Sequence, residues 1–431
     1  MTKSLSSAIS GIEANQAWLD NIANNIANSN TVGYQSTSIQ FADLLYQQTQ
    51  GAGAPTPGIV GGTNPITVGS GVRVASTNTN FSQGTLQQTG NPTDVAIQGQ
   101  GFLVVDQGGQ NMYTRDGSLQ LDAAGQLVTA SGAIVQGWVP QANGQINPNS
   151  PLGSIAIPQG QVANPVATQN VTLGGNLPAG GTNPVVVTTT GYDSLGDPIP
   201  LTFTFTPSGT ANTWTVTAST TMPGTTTAAA LQLGGAASQT VTFNSTTGQI
   251  SGISGAEASN PDALAVTGFP TGYNLPSGYA MNLDFPQPGT QQAVTQFAAA
   301  SPSVQVTNQD GAPSGALTGF TIGSDGVVQG NYANGKSQVL GQIATALFAN
   351  PEGLAKQGNL LYAASLNSGA AQLGAPGLGG RGSLVGGAVE GSNVSIGQEL
   401  TDLVVAQTAY QANTKVVSTT ATVLQALVQM A

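Results

Sequence analysis

The sequence lacks both cysteine and histidine across its 431 residues. Without cysteine, disulfide bonds and thiolate metal sites are excluded, and without histidine so are the serine–histidine–aspartate triad and the common metal clusters. A carboxylate pair of the glycosidase kind remains, with Asp193 and Asp197 as its candidates. Both aspartates also suit an ordinary turn. We therefore predict no catalysis, no cofactor and no metal, and a carbohydrate-active β protein is kept as the alternative.

Charged residues are scarce as well. They make up 6% of the chain, with 7 basic and 18 acidic residues and a formal net charge of -11, whereas ordinary soluble domains carry about 25%. The shortage of lysine and arginine excludes nucleic acid as a partner, because binding it requires clustered cations. It equally excludes an anionic membrane surface. Sparse charge also keeps self-repulsion weak, so many copies can pack closely.

Long apolar runs are missing too. No stretch of about 18 apolar residues exists, so we predict no membrane insertion. Met1-Thr-Lys-Ser4 leads directly into an amphipathic pattern, without the basic and continuously apolar regions of a secretory signal peptide. If this protein is exported from the cell, we expect it to leave without a cleaved signal peptide.

What the sequence does contain is a heptad pattern at each end, in which apolar residues recur at alternating steps of three and four. The predicted subunit-packing residues are Leu5, Ile9, Ile12, Leu19, Ala23 and Ile26 at the N-terminus, and Ile396, Leu400, Leu403, Tyr410, Val417, Ala421, Leu424 and Val428 at the C-terminus. Long isolated helices are marginal in water without a partner. We therefore expect the two ends to pair with each other and with neighbouring molecules; two core helices of a globular protein are the alternative.

Between the helices the apolar period changes to two, and turn pairs such as Asp116-Gly117 separate the predicted strands. The predicted fold is mainly β with long terminal α-helices, in a nested multi-domain subunit with a terminal coiled-coil domain. The predicted parts are an N-terminal helix at 1–33, a connector at 34–68, the first part of a β domain at 69–140, an inserted outer β-rich domain at 141–299, the second part of the β domain at 300–373, a glycine-rich connector at 374–391 and a C-terminal helix at 392–431.

Arg115 stands out among so few basic residues, because it lies beside Asp116 in a predicted hairpin. Scarce cations inside a β domain are more often structural than substrate-binding. We predict a buried or interfacial ion pair for Arg115.

Several segments, in order along the chain, carry a family pattern. Ala23-Asn-Asn-Ile-Ala-Asn28-Ser-Asn-Thr-Val-Gly-Tyr34 resembles the N-terminal signature of bacterial flagellar rod and hook axial proteins. Thr93-Asp-Val-Ala-Ile97, Tyr113-Thr-Arg-Asp-Gly117 and Val135-Gln-Gly-Trp138 resemble the first β domain of that family. Ala406-Gln-Thr-Ala-Tyr-Gln-Ala-Asn413 resembles its C-terminal helix. Together, in this order, these motifs are specific for the family.

The inserted domain separates the members of this family. Tyr192-Asp-Ser-Leu-Gly196 followed by Leu201-Thr-Phe-Thr-Phe205 is similar to hook-type members and not to the shorter distal rod type. Phe348-Ala-Asn-Pro351 and Gly358-Asn-Leu-Leu-Tyr362 are similar to hook-type members too. Gln35 departs from the pattern, since the family often has a basic residue there. A distal rod protein with an insertion is the alternative within the family.

The resemblance implies a structural subunit, without catalysis, of a curved hollow tube that joins rod to filament and transmits torque as a flexible joint in swimming motility. The terminal helices would line the inner wall, and the β domains would form the outer layers. The implied partners are other copies of the chain, the distal rod, hook cap and hook–filament junction proteins, and the flagellar type III export apparatus. The implied location is the extracellular flagellar hook and basal body.

Overall fold

A computed structural model describes residues 2–54, 61–141, 144–160, 162–222, 224–286, 293–299 and 301–430. The predicted connector 34–68 therefore lies partly outside the described residues, at 55–60. The chain forms two compact units: unit 1 comprises Met1–Pro158, Phe320–Gly330 and Gln338–Ala431, and unit 2 comprises Gln159–Gly319 and Asn331–Ser337. The nested layout with its seven parts stays a prediction.

The first stretch of unit 1 begins with a long helix and continues in strands. Its elements are α1 (Thr2–Ala27), β1 (Thr37–Asp43), β2 (Tyr46–Gln50), β3 (Ile66–Gly69), β4 (Val72–Thr79), β5 (Leu86–Gln88), β6 (Val95–Gln98), β7 (Phe102–Gln107), β8 (Gln110–Thr114), β9 (Leu119–Leu121), β10 (Leu127–Thr129), β11 (Ile134–Trp138) and β12 (Gly153–Ser154). Strands β2 and β3 pair with each other inside the segment that was predicted as a connector.

Unit 2 consists of strands in its described part. These are β13 (Val162–Ala163), β14 (Asn170–Asn176), β15 (Val185–Tyr192), β16 (Pro198–Pro207), β17 (Thr213–Thr221), β18 (Ala228–Leu233), β19 (Gln239–Phe243), β20 (Ile250–Ile253), β21 (Ala263–Thr267), β22 (Met281–Asp284), β23 (Val294–Thr295) and β24 (Gln305–Gln309). Three further strands cross the division between the units: β25 (Gly315–Ile322), β26 (Val327–Tyr332) and β27 (Ser337–Ile343).

The chain then completes unit 1 and ends in a second long helix. The remaining elements are β28 (Thr345–Leu347), a short 3-10 turn (Pro351–Gly353), β29 (Ala355–Gly358), β30 (Leu361–Ala363), β31 (Gln372–Gly374), β32 (Ser383–Gly386), β33 (Ala388–Glu390) and α2 (Ile396–Met430). The predicted fold class, mainly β with long helices at both ends, is confirmed.

The sheet of unit 1 is built around β7, which pairs antiparallel with β8, β11 and β28. From β8 the sheet continues through β30 to β29. A strand buried on both faces needs a continuous apolar run, which Phe102-Leu-Val-Val105 supplies. Phe102 packs with Tyr113, Trp138 and Phe348 in one apolar core. Strands β30 and β29 form one edge of this sheet and also line a cavity.

Unit 2 contains a sheet with strand order β15-β16-β17-β18-β21-β22-β14. In addition, β19 pairs with β17, and β24 pairs with β14. Strand β16 shows how the sequence specifies it: Ile199, Leu201, Phe203 and Phe205 are buried and alternate with more exposed proline and threonine. Successive side chains of a strand point to opposite faces, so this period-two pattern turns one face to the core. Trp214 of β17 belongs to the same core.

The glycine-rich segment 374–391 contains β strands that pair with other strands of unit 1. Its strands β32 and β33 pair with β6 and β5 of the same unit. A Cβ atom at Gly382 would lie 2.5 Å from the Gln98 carbonyl oxygen, and one at Gly386 would lie 2.7 Å from that of Ile322. The glycines therefore permit close approach of backbones here, whereas the sequence pattern suggested a linker.

Candidate assembly interface

Helices α1 and α2 lie side by side and run in opposite directions. Gly11 of α1 contacts Asn413 of α2, whereas Asn25 near the end of α1 donates a hydrogen bond of 3.0 Å to Glu399 near the start of α2. This register places the first residues of α1 opposite Thr422. The 35 residues of α2 make it about 14 Å longer than the 26-residue α1, at about 1.5 Å per residue. The last turns of α2 therefore extend beyond α1.

The contact between the two helices runs along small and polar side chains. Ala8, Ala14 and Ala406 are buried there, and Gly11 has no side chain at all. Small residues at a helix contact allow the two axes to approach closely, because nothing holds them apart. Ile22 adds one large and fully buried side chain to this face of α1, which otherwise consists of small residues.

The buried line of α1 lies one residue before the predicted seam. On α1, Ile22 and Asn25 are buried whereas Ala23 is exposed. On α2, Ala406 is buried, and the seam residues Leu403 and Tyr410 on either side of it are half-buried. One residue corresponds to about 100° of rotation around a helix of 3.6 residues per turn. The heptad spacing is therefore present, but the buried face of α1 is rotated from the predicted one.

The fourteen predicted packing residues fall into two groups in the single chain. The half-buried residues are Leu5, Ile12, Leu19, Ile26, Leu403, Tyr410 and Val417. The exposed residues are Ile9, Ala23, Ile396, Leu400, Ala421, Leu424 and Val428. The role of all fourteen in contacts between copies stays a prediction.

Asn25 joins the end of α1 to both α2 and the first strand. Its side-chain amide donates to the Thr37 carbonyl oxygen at 2.8 Å and to Glu399 Oε1 at 3.0 Å. Its Oδ1 accepts from the Tyr34 hydroxyl and from the Thr37 backbone N–H, each at 3.1 Å. A buried amide with donor and acceptor both occupied fixes the geometry of its surroundings. In the sequence, Asn25 stands out only as part of the Ala23–Tyr34 motif.

A buried ion pair lies next to the point where α2 begins. Arg115 Nη1 is 3.2 Å from Glu390 Oε2, and the two side chains are 2% and 0% exposed. Glu390 Oε1 also accepts from the Gly84 N–H at 2.9 Å, and its backbone carbonyl accepts from the Gly33 N–H at 2.7 Å. The predicted ion pair of Arg115 is confirmed, with Glu390 as the partner that the sequence did not reveal.

Asn393 completes the attachment of α2 to the β strands of unit 1. Its Oδ1 accepts from the Ser36 N–H at 2.7 Å, and its Nδ2 donates to the carbonyl oxygens of Asn80 and Ser82 at 2.7 and 2.9 Å. Asn25, Glu390 and Asn393 together hold the base of the helix pair in place.

The aspartate pair of the alternative function lies in unit 2 and forms a turn. The Asp193 side chain accepts from the backbone N–H groups of Leu195, Asp197 and Asn274 at 2.9, 2.8 and 2.9 Å. Burial alone would raise the pKa of Asp193, but these hydrogen bonds hold it below its ordinary value. The arrangement suits a turn that must stay closed.

None of the helices in the described part of the chain is long and apolar enough to cross a membrane. Defined polar contacts join the terminal helices to the β strands of unit 1.

Sequence models of known families match four segments of the chain. They are described as flagella basal body rod protein (residues 5–35), flagellar hook protein FlgE/F/G D1 domain (96–176), flagellar basal body protein FlaE D2 domain (181–312) and flagellar basal body rod FlgEFG protein C-terminal (385–430). The flagellar hook protein FlgE of Treponema pallidum (strain Nichols) is 35% identical, with 100% of both chains covered. The chain belongs to the flagellar hook protein family.

Other relatives of this hook protein family agree over nearly the whole length. FlgE of Borreliella burgdorferi is 32% identical with 100% of both chains covered, and FlgE of Escherichia coli K12 is 33% identical with 99% of both covered. The crystal structure of Helicobacter pylori flagellar hook protein FlgE2 shares the fold, with a TM-score of 0.50 at 15% identity over 69% of this chain and 98% of that one. The chain is a structural subunit of the flagellar hook and serves motility.

Proposed function

We propose that copies of the chain polymerise through the two terminal helices, with the fourteen residues named above as packing positions. The distribution of apolar residues around α2 supports this. Leu400 and Val416 are both exposed, yet they lie about 160° apart around the helix. Val405 and Val423 are exposed as well. Helix α1 covers one face of α2, and a helix that is apolar on several faces is normally buried on all of them.

A charge placed on the predicted seam tests this proposal. Leu400→Asp should abolish polymerisation of the purified chain, because an aspartate cannot be buried unpaired between helices. Thr226→Asp adds the same charge at an exposed position of unit 2, outside both helices, and it should still polymerise. Sedimentation and negative-stain electron microscopy of both variants give the answer. Tubes from Leu400→Asp in the yield of the unchanged chain would contradict the proposal.

We also infer the layered arrangement of the family: the helices in the inner wall and the β domains outside, forming the curved, hollow and flexible tube that transmits torque. The antiparallel attachment of α2 to α1, held at its base by Asn25, Glu390 and Asn393, supports a rigid inner element. A helical reconstruction of the polymer by cryo-electron microscopy tests the order of the layers. A reconstruction with α1 and α2 on the outer surface would contradict it.

The remaining partners and the export route are inferred from the family. We infer contacts with the distal rod, hook cap and hook–filament junction proteins, and passage through the flagellar type III apparatus to the extracellular hook without cleavage. N-terminal sequencing of hooks sheared from cells should return the first residues of the chain. We further infer a role without catalysis, which the closed turn around Asp193 supports. Release of reducing sugar from polysaccharides by the purified chain would refute it.

A further inference from the structure

A cavity of about 610 Å³ opens in unit 1 beside the end of α1. Ala130, Leu360 and Leu361 give it apolar walls, and Asn24, Tyr34, Asp116 and Lys356 contribute polar groups. Sites that hold a side chain or a small ligand usually measure about 300–1,000 Å³ and combine an apolar lining with a few polar groups. The cavity therefore has the size and the lining of a binding site.

The tip of the β29–β30 hairpin forms one wall of this cavity. Asn359 and Leu360 at the tip have φ angles of 50° and 61°, in the left-handed region. Two such residues in succession are what a tight hairpin turn requires, and the second is usually glycine. The Leu360 carbonyl oxygen accepts a hydrogen bond of 2.9 Å from the Thr114 hydroxyl, which holds the turn. Leu360 thus adopts a left-handed backbone conformation that disfavours leucine, and it does so on the wall of the cavity.

Lys356 brings a positive charge to the same wall. Its Nζ lies 5.7 Å from the centre of the Tyr34 ring, and partial desolvation lowers the pKa of the amine. No carboxylate oxygen of the described residues lies within 4.0 Å of it. A cation held over an aromatic ring without a counter-charge can accept an acidic group from another molecule.

A rigid protrusion lies at the opposite end of the same hairpin. Leu366 is 107% exposed, although the turn that carries it is tightly bonded. The Ser365 hydroxyl donates to the Gly353 carbonyl oxygen at 2.5 Å, and the Asn350 amide donates to that of Asn367 at 3.0 Å. These bonds join the turn at 364–368 to the turn at Pro351–Gly353. The backbone that carries Leu366 is therefore held in place, and the leucine side chain extends into solvent.

The protrusion also carries a free acid. Glu352 is exposed on the second of the two joined turns, and no basic group in the described part of the chain lies within 4.0 Å of its carboxylate. The protrusion thus offers a leucine and a carboxylate. The cavity offers an apolar wall, the ammonium group of Lys356 and the largely buried carboxyl group of Asp116, whose pKa is raised by burial. Leu366 matches the apolar wall in polarity, and Glu352 is opposite in charge to Lys356.

We propose that the protrusion of one copy, with Leu366 and Glu352, docks into this cavity of a second copy, where Leu366 enters beside Leu360 and Glu352 meets Lys356. Donor and acceptor are different surfaces of the chain, so the contact is head-to-tail. Such a contact does not close between two molecules and can continue along a filament. The inference rests on the proposed self-assembly and adds a specific contact outside the terminal helices.

Cysteine cross-linking tests the contact directly, because the chain has no cysteine of its own. Leu366→Cys is combined with Ser131→Cys, an exposed residue on the cavity wall, and assembled polymer is oxidised and run on a denaturing gel. We expect a ladder of covalent multimers. The control combines Ser131→Cys with Leu378→Cys, since Leu378 is a 64% exposed leucine on another turn of unit 1, and should give none.

Polymers that yield no ladder from the Leu366 pair, or an equal ladder from the control pair, would overturn the docking contact. If the unchanged chain forms no polymer at all, the proposed self-assembly fails, and the two failures are thereby distinguished.

Charge exchange provides a second test that does not require a disulfide. Glu352→Lys and Lys356→Glu should each raise the critical concentration for polymerisation about tenfold, and the double variant should restore it, as expected for a charge pair across an interface. Glu257→Lys, an exposed acid of unit 2, is the control and should change little. Circular dichroism melts check that each variant is folded. A double variant as defective as the worse single variant would overturn the pairing of Glu352 with Lys356.

Discussion

Gly11 of α1 lies directly against the side chain of Asn413 of α2: a Cβ atom at residue 11 would lie 2.7 Å from the Asn413 amide nitrogen and 3.1 Å from its Cγ. The entire carboxamide therefore occupies the space in which any larger residue would place its side chain. Glycine inside a helix costs about 0.5–1 kcal/mol relative to alanine. Its presence in α1 is explained by this close contact between the helices.

Gly11→Leu should separate the helix pair, because the leucine has no space unless Asn413 and α2 move away. Overpacking of this kind costs about 1–3 kcal/mol. Hydrogen exchange of the α1 amides measures the loss, since the helices open locally while the β core stays folded. Gly397→Leu is the matched control, because nothing lies within 4 Å of a Cβ atom at that glycine of α2. Faster α1 exchange in both variants would show that the Asn413 contact is not the cause.

Asn25→Ala should release the base of the helix pair. The change removes the donor to Glu399 and the partner of the Thr37 N–H, and leaving such buried groups unsatisfied costs about 1–3 kcal/mol. The control is Asn24→Ala, the exposed neighbour on the same helix. Thermal unfolding followed by circular dichroism should show a lower midpoint for Asn25→Ala alone. Equal midpoints for the two variants would contradict the role given to Asn25.

The terminal helices could be predicted from the sequence, but their contact face could not. The heptad pattern identifies the largest apolar residues, such as Leu400 and Leu424, and assigns them to the seam. The contact within the chain instead includes Gly11, Ala406 and Asn413. Gly11 and Ala406 are small enough to let the helices approach, and the Asn413 side chain fits the space beside Gly11. Such complementarity belongs to a pair of surfaces, and one sequence pattern does not contain it.

In the β domain, too, the strands could be predicted from the sequence but the contacts between distant residues could not. Alternating strands such as β16 and hairpin signals such as Asp116-Gly117 identified the sheets, because they are local features. Gly382 and Gly386 looked like linker residues, since a glycine needed for close approach and a glycine in a flexible connector are identical in sequence. The Arg115 ion pair was predictable from the scarcity of cations, but its partner Glu390 lies 275 residues away along the chain.

Glu390→Gln should destabilise unit 1 strongly. Arg115 would keep its buried charge without a counter-charge, and breaking a buried ion pair from one side costs about 3–5 kcal/mol. Chemical denaturation followed by tryptophan fluorescence measures the change, because Trp138 lies in the core of the same unit. Glu257→Gln, an exposed acid of unit 2, serves as the control and should have little effect. A Glu390→Gln variant as stable as this control would contradict the structural role of the pair.

The helix pair should lose stability as the pH rises through the mildly acidic range. Burial raises the pKa of Glu399 above its ordinary value of 4.5; the hydrogen bond from Asn25 lowers it, and the charge of Asp402 raises it further. Folded Glu399 therefore keeps its proton where the unfolded chain has already lost it, so the contribution is greatest below pH 4.5 and declines as the pH passes the raised value. Hydrogen exchange of the α1 amides at a series of pH values, corrected for intrinsic rates, should show this decline. Glu399→Gln removes the titrating group but keeps an acceptor for Asn25, so its profile should be flat, whereas Asp20→Asn should leave the decline unchanged. A decline of the same size in Glu399→Gln would assign the pH dependence to another group.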